Sequence, residues 1–81
     1  MIERFIWTEH AEQRCKRRLL DRAQVEGTIQ AGHDIPRVNR GPAGWMAHGL
    51  SADGRRFVVV YDHPHNWDLQ TARIVSVWEV Q

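Results

Sequence analysis

Eighty-one residues, 42% hydrophobic and 26% charged, with a formal net charge of +1, describe one folded domain with a modest core. This composition excludes a disordered chain, and the longest apolar run, residues 57–61, falls far short of the about 20 residues that cross a bilayer, so no membrane contact and a cytoplasmic setting are expected. A single cysteine, Cys15, rules out an internal disulfide and a multi-cysteine zinc site.

In chain order, Phe5-Ile6-Trp7 is short and apolar, an edge strand or the lead-in to a helix. Thr8 then offers an N-cap hydroxyl, and Glu9 and Glu12 suit the positive end of the helix dipole, which predicts a helix over 9–18. Asp21 with Gln24 matches a capping box, and Val25, Thr28 and Ile29 form a narrow apolar stripe ending at Gly32, so a second helix spans 22–31 and makes a hairpin with the first. Gly27 costs that helix about 1 kcal/mol relative to Ala and so implies a close helix contact or a weaker helix. His33 to Gly44 reads as a loop, with a short extended piece at 35–40. Residues 45–50 and 55–61 form strands joined by a turn at Ser51-Ala52-Asp53-Gly54, and 71–80 form a further antiparallel strand after a polar segment, 62–70. The expected class is α+β, an N-terminal two-helix hairpin packed on an antiparallel sheet of three to four strands. The central strands are apolar on both faces. The helices cover one, and the other is a ligand face with Tyr61 or Trp78 at its rim or a subunit contact.

The chemistry concentrates in the first helix. At 100° per residue His10, Arg14 and Arg17 fall within about 60° of arc, and Ala11, Cys15 and Leu19 make a separate apolar stripe about 140° round from His10. An imidazole can take or give a proton near neutral pH, and guanidinium forks hold phosphodiesters, so RNA is the first substrate class this pattern implies. His10, Arg14 and Arg17 are the candidate catalytic residues, and Arg18, Arg22, Arg55 and Arg56 the candidate RNA contacts. Arg18 lies nearer the apolar stripe and has the alternative of bracing the helix through a carboxylate. The plainer reading of the same residues is a solvated basic face.

The pattern Thr8-x-His10-Ala11-x-x-Arg14-Cys15-x-x-Arg18-Leu19-Leu20, followed by Asp21-Arg22-Ala23-Gln24-Val25, resembles the small bacterial DUF 4258 family. That resemblance implies a fold like that of the RelE, ParE and BrnT toxins, and it singles out His10, Arg14 and Arg18. It carries the expectation of a toxin-like RNA-binding protein or metal-independent endoribonuclease, with RNA or the ribosome as target and an antitoxin-like protein as partner. Three positions depart from the family pattern: Cys15 and Leu19 stand where Met and Gly are usual, and Trp78 stands where Tyr is common. The alternative is a non-enzymatic protein-binding module or a dimerising structural domain. Asp62-His63-Pro64-His65-Asn66-Trp67-Asp68 contains metal-ligand residue types, but two histidines bracketing a proline read as a polar turn. His33 and His48 lack partners in sequence, and neither metal nor cofactor is expected.

Overall fold

The computed structural model describes residues 2–32, 37–38 and 44–80. In chain order these form β1 (Arg4–Trp7), α1 (Glu9–Arg17), α2 (Arg22–Gly32), β2 (Arg37–Val38), β3 (Trp45–Leu50), β4 (Arg56–Asp62) and β5 (Thr71–Val80). The class is α+β. His33 and most of the expected 33–44 loop lie outside the described residues.

The helix starts and the β3–β4 turn act as the sequence reads, although among the described residues Gln24 does not complete a capping box with Asp21. The Thr8 hydroxyl accepts from the Ala11 N–H at 3.1 Å and starts α1, and the Asp21 carboxylate accepts from the Ala23 N–H at 2.8 Å and starts α2. Gly54 takes the positive φ of 87° that the β3–β4 turn requires. α1 ends in a Schellman motif, with the Leu20 N–H donating to Cys15 O and the Leu19 N–H to Lys16 O. The residue carrying its left-handed conformation, φ 52°, is Leu19 rather than a glycine.

Strand order is β1-β5-β4-β3-β2. The sheet is mixed and not wholly antiparallel, because β1 runs parallel to β5 with Arg4 beside Thr71 and Trp7 beside Ile74. The direction follows from what comes next. Only Thr8 separates β1 from α1, and α1 lies along β5, from His10 beside Ser76 to the Arg18 and Leu19 carbonyls, which Arg55 holds next to Glu79. A helix laid forward along β5 one residue after β1 carries β1 in the same direction. The Thr8 N–H continues that ladder to Ile74 O, and the Thr8 hydroxyl donates to Val75 O.

Both helices cover one sheet face, each packed chiefly on the sheet, α1 on β5 and α2 on β3. Ala11, Cys15, Val25 and Ile29 meet Ala47, Phe57, Val59, Tyr61, Ile74 and Val77 there, with Phe5 and Trp7 closing the β1 side. Full burial of each larger side chain in this cluster contributes about 1.5–3 kcal/mol. Tyr61 belongs to this core, so it cannot rim the opposite face, and burial pushes its phenol pKa up. Of the two readings of Gly27, the close helix contact is not found, since an added Cβ would meet nothing within 4 Å. It occurs at Gly49, where a Cβ would strike the Phe57 ring and lie 2.5 Å from the Thr28 hydroxyl of α2.

The other sheet face presents register rows of Leu50, Arg56 and Val80, then His48, Val58 and Trp78, then Met46 and Val60; Ser76, in register with Val60, adjoins a bulge and its hydroxyl reaches α1 instead. Between Val60 and Tyr61 the β4–β5 register slips, leaving Val75 as the extra residue of a bulge on β5.

Candidate functional site

The candidate site starts where α1 meets this bulge. Thr8 anchors the first turn of the helix to Val75, and one residue further along β5 the His10 Nε2 shares a hydrogen bond of 3.1 Å with the Ser76 hydroxyl. The imidazole is exposed, with one nitrogen held and Nδ1 without a hydrogen-bond partner among the described residues. Bulges re-aim side chains at strand edges, and this one puts Ser76 in reach of a helix residue 66 positions away. No signal in the sequence links the two.

From His10 the stripe continues to Arg14, half-buried, and to Arg17, exposed; Arg18 follows, exposed, at the end of the helix, and Lys16, also exposed, lies about 120° round from His10. None of these four cations forms an ion pair among the described residues. The neighbouring acids are engaged elsewhere. Glu12 pairs with Arg22 at 3.3 Å, Glu79 lies 4.0 Å from Arg55, and Glu9 accepts from Gln13 at 3.5 Å. Exposed pairs of this kind contribute little to stability, but their arrangement leaves these positive charges of α1 uncompensated among the described residues.

The remaining predicted residues divide. Arg22 caps the Trp7 ring at 4.8 Å while pairing with Glu12, so its charge is partly spent. Arg55 is a brace: its guanidinium donates to the Arg18 and Leu19 carbonyls and to both Asp53 oxygens, tying the end of α1 to the β3–β4 turn. Asp53, held by the Ser51 hydroxyl and then by Arg55, has its carboxyl pulled below the usual range. The carboxylate pair that sequence offered for Arg18 is not formed among the described residues; the end of α1 is braced instead through its backbone carbonyls by Arg55. Arg56 is exposed on the sheet face opposite the helices, where the central Val58 and Val60 are buried.

Cys15 is buried against Leu20, its thiol 3.1 Å from the Leu20 carbonyl and its pKa raised by burial, which suits a packing role. His63 shares a hydrogen bond with Leu69 O at 2.7 Å, and His65 bridges to Asp68, so this segment is a structured turn; among the described residues no three His, Cys, Asp or Glu side chains gather as a metal site. His48 is exposed opposite Val58. Two open clefts flank the sheet. One of about 470 Å³ is lined by Arg4, Phe5, Ile6, His65, Asn66, Asp68 and Thr71, and one of about 290 Å³ includes Leu19, Asp21, Asp53 and Arg55. His10, Arg14 and Arg17 line neither of these two clefts.

The chain matches no model of a known protein family, no curated protein and no solved structure. No helix among the described residues is long and apolar enough to cross a membrane.

Proposed function

We propose that this chain is a toxin-like, cytoplasmic RNA-binding domain of RelE-like fold that engages the phosphodiester backbone through α1. The observation that carries the reading is the run of Arg14, Lys16, Arg17 and Arg18 without carboxylate partners among the described residues, beside an exposed imidazole whose Nε2 is held by Ser76. Guanidinium forks bind phosphate oxygens in bidentate fashion, and a polyanion restores the balance that the protein's own acids do not. Arg55 and Arg22, already engaged, leave the set of RNA contacts. His10 is the group able to move a proton to or from a 2′-hydroxyl or leaving oxygen, with Arg14 and Arg17 steadying the phosphate whose charge grows in the transition state. An exposed run of cations suits a substrate presented by a larger body such as the ribosome, and an antitoxin-like acidic protein would silence it by covering the same charges.

The test is a salt titration of a labelled single-stranded RNA, followed by cleavage assays with and without ribosomes. Three or four phosphate contacts give a slope of log affinity on log salt of about −2 to −3, and replacing Arg14 and Arg17 together by Ala lowers its magnitude by about 1.4. His10→Ala retains binding and removes cleavage. Affinity indifferent to salt, or to the double replacement, overturns the RNA reading; full cleavage by His10→Ala overturns the role of the imidazole.

A further inference from the structure

β1 is the outer strand on its side of the sheet, and its hydrogen-bonding parity is readable. The Arg4 N–H donates to Gln70 O and the Thr8 N–H to Ile74 O, so Arg4, Ile6 and Thr8 turn their backbone groups toward β5. Strand alternation then turns the N–H and C=O groups of Phe5 and Trp7 outward, where they have no partner among the described residues. Three of the four residues of β1 are large and apolar, with neither proline nor lysine to blunt the edge. The one charge, Arg4, is neutralised within its own chain by Asp68 at 2.7 Å.

Near this edge a hydrogen-bonded turn holds out exposed apolar side chains. Ile6 is 45% exposed, Leu69 69% and Trp67 94%. Trp67 adopts a left-handed φ of 64°, unusual for a bulky side chain, following Asn66 at 50°. The turn is tied down by the Asp68 N–H to His65 O, the Thr71 N–H to Asp68 O, and the Asp68 carboxylate accepting from Arg4, Thr71 and the Gln70 N–H. Asn66 and Asp68, on either side of Trp67, line the cleft that reaches Phe5 and Ile6.

We infer that β1 pairs antiparallel with β1 of a second copy of this chain, about a twofold axis through Ile6. Only a register centred on Ile6 sets the outward-turned Phe5 opposite the outward-turned Trp7 of the other copy, so that both pairs exchange N–H···O=C bonds and the two sheets become one. Ile6 meets its own symmetry mate on the open face as a non-hydrogen-bonded pair, where side chains lie closest. Arg4 falls opposite Thr8, which avoids opposing like charges. A standard interface buries about 800 Å² per partner, and one tryptophan supplies about 150–250 Å² of that, so Trp67, Leu69, Ile6 and the strand itself make a small, weak and concentration-dependent dimer. This edge is separate from the α1 stripe, and the inference stands whether or not the RNA reading does.

Sedimentation over a concentration series, with cysteine crosslinking, tests it. The parent chain shifts from monomer to dimer as concentration rises; Ile6→Lys, which sets two ammonium groups on the axis, remains monomeric, and Trp67→Ala weakens the dimer with no change in fold. Under mild oxidation Ile6→Cys forms a covalent dimer faster than Leu50→Cys, because cross-strand non-hydrogen-bonded positions meet disulfide geometry and Leu50 lies at the far side of the open face. Buried Cys15 serves as the unreactive internal control. A parent chain that stays monomeric to millimolar concentration overturns the inference. So does Leu50→Cys crosslinking faster than Ile6→Cys, which would place the contact on the open sheet face, and so does dimerisation unaffected by Ile6→Lys.

Discussion

Replacing Leu19 by glycine should stabilise this protein. The side chain occupies the left-handed position of the Schellman motif at the end of α1, with φ 52°, and is 83% exposed. An L-residue in that conformation costs about 1–2 kcal/mol, and removing a side chain so exposed forfeits little burial. Glycine recovers the backbone cost but returns about 0.5–1 kcal/mol to the unfolded chain as extra conformational freedom. The net expectation is a gain of about 0.5–1 kcal/mol, which for a domain of this size raises the melting temperature by about 2 to 8 °C. Urea denaturation followed by circular dichroism reads it as a higher midpoint with an unchanged slope. Leu19→Ala, which keeps Cβ and therefore the strain, should gain little. RNA affinity should be unaltered, since the cations of α1 stay where they are. A lower midpoint for Leu19→Gly would refute the argument, because it would mean that the leucine makes contacts worth more than the strain it bears.

The two internal glycines should respond in opposite directions. Gly27→Ala, with open space around the added methyl, should stabilise α2 by about 0.5–1 kcal/mol, whereas Gly49→Ala should cost about 1–3 kcal/mol or more by forcing Thr28 and the Phe57 ring apart; equal effects in denaturation curves would contradict the packing described. The Arg4 guanidinium, with the Gln70 N–H and the Thr71 hydroxyl, holds the Asp68 carboxyl at about 2, below its ordinary 3.8. A depressed folded-state value means this contribution is present above the ordinary pKa and is lost as pH falls from about 4 to about 2. Asp68→Asn should therefore flatten that part of the acid-unfolding curve, and a curve identical to that of the parent would refute the assignment.

What sequence could show here was local. Thr8, Asp21 and Gly54 act within three residues of their own position, so the helix starts and the β3–β4 turn are legible from residue type and spacing alone. The alternation of Phe57, Val59 and Tyr61 marks a core strand, but an apolar strand gives no sign of which face each residue takes, and Tyr61 went under the helices. The parallel direction of β1 depended on where α1 comes to rest, a tertiary fact. Within the candidate site the stripe of His10, Arg14 and Arg17 follows from helical periodicity. The hold of Ser76 on the ring arises from a bulge no residue type announces, and the diversion of Arg55 into a brace arises from carbonyls 36 and 37 positions earlier. Charge type could be read from the chain, but the partners that consume it could not.

The pairing of β1 with β5 also sets an order in time. Arg4 and Thr71 are 67 residues apart, so the first strand and the helix laid beside it are synthesised long before the strand that receives them. Until residues 71–80 are made, Phe5, Trp7 and the apolar side of α1 have no sheet to rest on, while β3 and β4 can already form their hairpin. Closing so long a loop is entropically costly and delays the decisive step, so folding should be slow for a chain of this length, and the species that waits carries exposed aromatic residues. The interval before β5 arrives is when the chain is most exposed to aggregation.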